Sequence, residues 1–168
     1  MFDYINIDSR LRGNDTQQMK ILDGKKVRNF IAEKIKKELK KIGVKPKLVI
    51  IQVVGDERSS VYVRQKKLFG EKLGFIVDYI QLENKISEKE IISIIESLNT
   101  DITVNGIIVQ LPLPKNINPV KVVETISPEK DVDGLNSKNL RYLLESLNTK
   151  YQGFVPATTK GILSLLDF

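Results

Sequence analysis

The 168 residues contain no cysteine, no histidine and no tryptophan. Without cysteine there are no disulfides, iron–sulfur sites or thiol nucleophiles. Without histidine there is no Ser-His-Asp triad and no Cys/His zinc site. No apolar run approaches the ~18 residues of a transmembrane helix, which excludes a helical membrane protein. Neither a GxGxxG nor a Walker A sequence occurs, so no nucleotide phosphate cradle is recognisable. Chemistry must therefore fall to Lys, Tyr, Asp, Glu, Ser or Thr, or to a bound cofactor. The absence of disulfides fits a reducing compartment, and a cytoplasmic location is expected.

What is present is a globular composition, 41% hydrophobic and 29% charged, long enough to build a core without staples. The net charge is +6, yet Lys20 to Lys47 alone holds 11 basic and 3 acidic residues. That segment is either a solvated basic face or an attractor of anionic ligands or nucleic acid. Phe30 is the one aromatic residue among those lysines. A stacking platform for single strands is not indicated, and no nucleic-acid partner is expected.

The first 18 residues show neither helical nor strand periodicity and lack the apolar centre of a signal peptide. They are expected to be an appended, disordered leader. Asp23 caps a helix expected to run to Ile42 and stop at Gly43; its apolar residues Val27, Phe30, Ile31, Ile35, Leu39 and Ile42 follow helical spacing. KLVIIQVVG then reads as a buried parallel strand. A helix from Ser59 to Leu73, the strand FIVDYIQL, and a helix over 87–98 with a Ser87/Glu90 capping box follow. VNGIIVQL is a third strand, and further helices are expected over 118–126, over 137–146 and from Thr158. This alternation predicts an α/β fold, a three-layer, mostly parallel sheet with crossover helices. Ligands in such sheets sit beyond the carboxyl ends of the strands, here loops 55–60, 82–86 and 110–118.

Ser59, Tyr62, Lys66, Phe69 and Leu73 are spaced by three and four and share one helical face. Lysine within such a stripe either snorkels to water or sits partly desolvated, where it becomes a usable acid or base. Gln110 closes the third strand ahead of Leu-Pro-Leu-Pro. Its amide either points into the ligand crevice or bonds loop backbone. Lys130-Asp131-Val132-Asp133-Gly134 carries two carboxylates one residue apart. It is either a weak metal-binding turn or an Asp-rich turn with glycine at positive φ. No metal site is expected.

Taken together, ILDGK at 21–25, VGDERSSVYVRQK at 54–66, GIIVQLPLP at 106–114, PEKDVDGLN at 128–136 and FVPATTKG at 154–161 resemble the bifunctional methylenetetrahydrofolate dehydrogenase/methenyltetrahydrofolate cyclohydrolases. The resemblance implies a folate-binding catalytic domain over 19–154. It also implies that 155–168 opens the connection to a nicotinamide-binding Rossmann domain that this chain does not contain. Tyr62 then stacks on the folate, Lys66 serves the proton transfers of the cyclohydrolase, Gln110 tunes that lysine, Asp133 anchors the pterin and Ser59 lies near the cleft. NADP is the family's cofactor, with no binding motif in this chain. The family's homodimer rests largely on the other domain, so a dimer is not expected here.

Two departures from the family's pattern carry expectations. Thr159 replaces a proline in Pro156-Ala157-Thr158-Thr159-Lys160-Gly161, which loosens the helix start. Arg141 replaces a glycine, which distorts a turn. The alternatives to a one-carbon enzyme are a catalytically inactive, truncated remnant of it and a basic nucleic-acid-binding module.

Overall fold

A computed structural model of the chain describes residues 22–54, 57–145 and 153–168, the side chains of 57–59 excepted. The expected leader over 1–18 lies outside the described residues. Six helices and three strands follow in the order α1 (Gly24–Ile42), β1 (Lys47–Val53), α2 (Glu57–Leu73), β2 (Ile76–Leu82), α3 (Glu88–Thr100), β3 (Gly106–Val109), α4 (Pro119–Thr125), α5 (Ser137–Glu145) and α6 (Ala157–Leu166) among the described residues. The punctuation is chemical. Asp23 Oδ1 accepts the amides of Lys25 and Lys26 at the start of α1. Gly43 closes it at φ 73°, a region open to glycine at little cost. Ser87 and Glu90 exchange their capping-box hydrogen bonds at the start of α3.

The sheet has the order β2-β1-β3 and is parallel throughout. β1, the apolar run, is central and buries both of its faces. Val49, Ile51 and Val53 pack with Ile91 and Ile95 of α3 and Val122 of α4 on one side. Ile50 packs with Val63 of α2, Val77 and Ile108 on the other. The result is the expected three-layer α/β domain. α1 lies against α2, and α6 reaches α1 through an edge-to-face contact of Phe30 and Phe168, 5.6 Å between ring centres.

Two expectations need correction. β3 starts at Gly106 and ends before Gln110; the Gln110 amide still donates to Ile51 O at 2.8 Å. Along α2, Val63 is turned to the sheet core, while Phe69 and Leu73 of the stripe line a groove against Ala32 of α1. Arg141 distorts no turn: it lies on the solvent side of α5 and pairs with Glu145 at 2.6 Å. At Pro156, α6 begins without a side-chain cap.

Beyond β3 the chain returns beside the sheet. Ile107 and Asp131 form a parallel bridge, with the Ile107 amide donating to Lys130 O at 2.7 Å. The Lys-Asp-Val-Asp-Gly segment is thereby laid along the sheet edge. A β-carbon at Gly106 would sit 2.7 Å from Val132 Cγ1, so glycine there is what lets the segment approach.

Candidate active site

Three side chains from distant parts of the sequence meet at the carboxyl end of the sheet. Lys66, halfway along α2, reaches Gln110 Oε1 at 3.4 Å and Asp133 Oδ2 at 3.7 Å. Gln110 follows β3 directly, and Asp133 follows the bridge beside β3. These distances are loose, as is common for a site without its ligand. The Lys66 side chain keeps 36% of its surface and Asp133 26%. Lys66 is thus partly desolvated and still reaches water. An ion pair this exposed contributes about 0–1 kcal/mol, so stability does not explain the grouping.

The amide of Gln110 can face only one way. Its Nε2 donates to Leu111 O at 2.7 Å, which leaves Oε1 for the ammonium. Lys66 Nζ thus faces two acceptors, one neutral and one anionic, with donor capacity left over. Tyr62 stands one turn before Lys66 on the same face of α2 and is 65% exposed, so its ring is open to a planar ligand. Ser59 belongs to α2 by its backbone, but its side chain lies outside the described residues. Of the loops singled out at the strand ends, 82–86 brings none of these residues to the cluster.

The two aspartates have separate tasks. Asp131 is fully buried, and its carboxylate accepts from the amides of Gly134 and Asn136 and from Asn139 Nδ2, at 3.1, 2.8 and 2.9 Å. With its oxygens facing three N–H donors it locks the turn. Asp133, on that turn, is left to face Lys66. Gly134 has φ 69°, as the turn reading expects, and a β-carbon there would lie 2.8 Å from Phe154 O. Among the described residues no cluster of three or more Asp, Glu, His or Cys could hold a metal ion.

Several supporting residues carry no local sequence signal. Lys130 Nζ donates to the carbonyls of Leu98, Asn99 and Asp101, at 2.9, 2.8 and 2.7 Å, closing the C-terminal end of α3 from 29 or more residues away. Gln52 is buried at the end of β1. It accepts from Tyr79 OH at 2.8 Å and donates to Ser60 Oγ at 3.3 Å, tying the start of α2 to the sheet. Its position in an apolar run was the one available hint.

The fold and sequence have known relatives. The catalytic domain of the family "Tetrahydrofolate dehydrogenase/cyclohydrolase" matches residues 22–133. The chain is 43% identical over 150 residues to the bifunctional protein FolD of Staphylococcus epidermidis, covering 88% of this chain and 51% of that protein. To the protein of the same name from Lactobacillus acidophilus it is 40% identical over 153 residues, covering 89% and 52%. The crystal structure of the bifunctional methylenetetrahydrofolate dehydrogenase/cyclohydrolase from Campylobacter jejuni matches with a TM-score of 0.82 at 36% identity, over 88% of this chain and 52% of that one. The Trypanosoma brucei dehydrogenase-cyclohydrolase, complexed with NADP and an inhibitor, matches with a TM-score of 0.81 at 27% identity, over 88% and 51%. The chain spans about half the length of the curated relatives it matches.

Proposed function

Because this chain belongs to the tetrahydrofolate dehydrogenase/cyclohydrolase family, we propose that it binds a reduced folate and hydrolyses 5,10-methenyltetrahydrofolate to 10-formyltetrahydrofolate. The observation that carries the proposal is the meeting of Lys66 with Gln110 and Asp133, one helical turn from an exposed Tyr62. In this reading the bound pterin occupies Asp133, and Lys66 gives one proton to solvent and stands as the neutral amine. Water adds to the methenyl carbon, and Lys66 Nζ takes the proton that the water releases. Cleavage of the ring carbon–nitrogen bond hands that proton to the departing nitrogen, and the hydroxyl proton passes to Lys66 as the carbonyl forms. The cation is consumed with one water, and the proton that Lys66 first gave up is the net release. Gln110 Oε1 holds the amine in line without adding charge, and Asp133 accepts from the N–H groups of the pterin. Tyr62 stacks on the planar ring. General acid–base work of this kind is worth about 10²–10⁴-fold.

The dehydrogenase half draws on a nicotinamide cofactor, which supplies a hydride acceptor in the NADP-bound relative. The residues present do not fit that group. The 168 residues hold no glycine-rich phosphate turn, and the amides at the start of α3 face the Ser87 hydroxyl and the Glu90 carboxylate. An anionic pyrophosphate finds no cradle there.

Residues 19–154 are read as the folate-binding domain and 155–168 as the start of a connection. The cysteine-free composition supports a cytoplasmic setting. No helix among the described residues is long and apolar enough to cross a membrane. The ring of Phe30 is engaged by Phe168 and by Lys34, 4.3 Å from its centre; this supports a small-molecule ligand over nucleic acid.

The test is the decay of 5,10-methenyltetrahydrofolate absorbance with the purified chain. The reading expects decay faster than in buffer, and a KM raised about tenfold in Tyr62→Ala, as for loss of one stacked ring. Decay at the buffer rate at every protein concentration rejects it.

A further inference from the structure

Asp133 is held by a turn, and the turn is held from two sides by one side chain that the proposed chemistry does not use. Asn139 of α5 is 1% exposed. Its Nδ2 donates to Pro128 O at 3.0 Å and to Asp131 Oδ2 at 2.9 Å, and its Oδ1 accepts from the Phe154 amide at 3.1 Å. This amide cannot flip, since its oxygen would then oppose a carbonyl and a carboxylate. On one side, then, it grips the buried carboxylate that shapes the turn. On the other it grips the 154–157 segment, which itself touches the turn twice. The Ala157 amide donates to Asp133 O at 3.1 Å, and Gly134 packs against Phe154 and Pro156.

We propose that Asn139 is a positioning residue, fixing the Asp133 carboxylate at its station beside Lys66. The inference rests on the folate reading only for its kinetic readout. A buried amide serving stability alone would need no link to this turn. Asn139 joins Pro128 and Asp131, which precede Asp133, to Phe154, whose carbonyl lies against Gly134. With the amide removed, Asp131 keeps the Gly134 and Asn136 amides and loses its tie to α5. The turn can then move as a unit, and misplacement by about 1 Å at a reacting centre can cost about 10²-fold.

The experiment is a double-substitution cycle on the full chain, with 5,10-methenyltetrahydrofolate as the probe. The folded fraction of each variant is set by circular dichroism. Asn139→Ala in the native background is expected to raise KM about 10-fold or more, with kcat changed less than about threefold. In the Asp133→Asn background the same change is expected to move KM less than about twofold, because its target is already gone. A lowered melting temperature with KM unchanged in the folded protein, or an equal KM effect in both backgrounds, overturns the proposal. Should Asn139→Ala fail to fold, Asn139→Ser carries the same comparison. A crystal structure of the folded variant reads the inference without any activity. Lys66 and Asp133 drawn more than about 1 Å apart supports it, and an undisturbed pair overturns it. If the unsubstituted chain is inactive, the folate reading fails and this structural readout alone decides.

Discussion

Gln110 offers its oxygen to Lys66 because its nitrogen is spent on the carbonyl next in sequence. Gln110→Met keeps the length and removes the acceptor, so Lys66 loses one of its two anchors. A hydrogen bond to a charged group is worth about 1.5–3 kcal/mol, so hydrolysis is expected to fall about 10–100-fold while thermal melting stays put. The aspartates give a sharper contrast. Asp133→Asn is expected to weaken folate binding about 10–100-fold at nearly native stability, since it breaks one half-exposed ion pair. Asp131→Ala strands three N–H groups in the interior and is expected to cost more than about 2 kcal/mol. Urea denaturation and a binding titration on both variants check the division of labour. Sequence alone paired these two carboxylates and left their tasks open, because alternation along a chain does not reveal which one is sunk against a helix. The α2 side chains meet different surroundings because α2 lies between the sheet and α1. Val63 therefore serves the sheet, Phe69 serves α1, and Lys66 reaches past the edge.

Elements were legible where punctuation is local. Asp23, Gly43, Ser87 with Glu90, and the glycine at 74 bound their helices as their side chains and φ values require. What could not be read was the closure of one element by another. Lys130 ends α3 through three carbonyls, and no pattern near residue 100 announces it. Lys130→Met is expected to destabilise the fold by about 1–3 kcal/mol. It should speed amide exchange in the last turn of α3 more than in α1, which hydrogen-exchange mass spectrometry would resolve. Gly134→Ala combines a left-handed φ with a backbone collision, so it should be worse than Gly161→Ala, where a β-carbon meets open space. Equal melting temperatures for the two variants would contradict this account of the turn.

For the whole molecule, the missing histidine returns as a statement about pH. Histidine is the side chain whose ordinary pKa lies between about 5 and 8, so stability should be flat there. The carboxyls around α3 set the acid limb. The Lys121 ammonium holds Glu88 below its usual value, helped by the Asn118 amide. The Ser87 hydroxyl and amide do so for Glu90, and the Thr103 hydroxyl and amide for Asp101. A depressed folded pKa gives stability that is fully present above the unfolded value of about 4 and is lost as pH falls through the folded one. Denaturation midpoints should therefore be level from about pH 5.5 to 8 and fall below about pH 4.5, with a shallower fall in Glu88→Gln. The three-layer architecture was legible from the order of elements. The juxtaposition of Lys66, Gln110 and Asp133 was not, since 44 and 67 residues separate the partners of Lys66 from it. It reached the sequence reading through the resemblance, and the fold then brought the three together.

The central claim is that Lys66 moves the protons in the proposed hydrolysis of 5,10-methenyltetrahydrofolate. It is tested most directly by the initial rate of 5,10-methenyltetrahydrofolate decay for the chain and for Lys66→Met, at equal folded concentration. The account predicts a rate above buffer for the chain and a fall of about 10²-fold or more, to the buffer rate, for the variant. A Lys66→Met protein that hydrolyses the substrate as fast as the unsubstituted chain would contradict it.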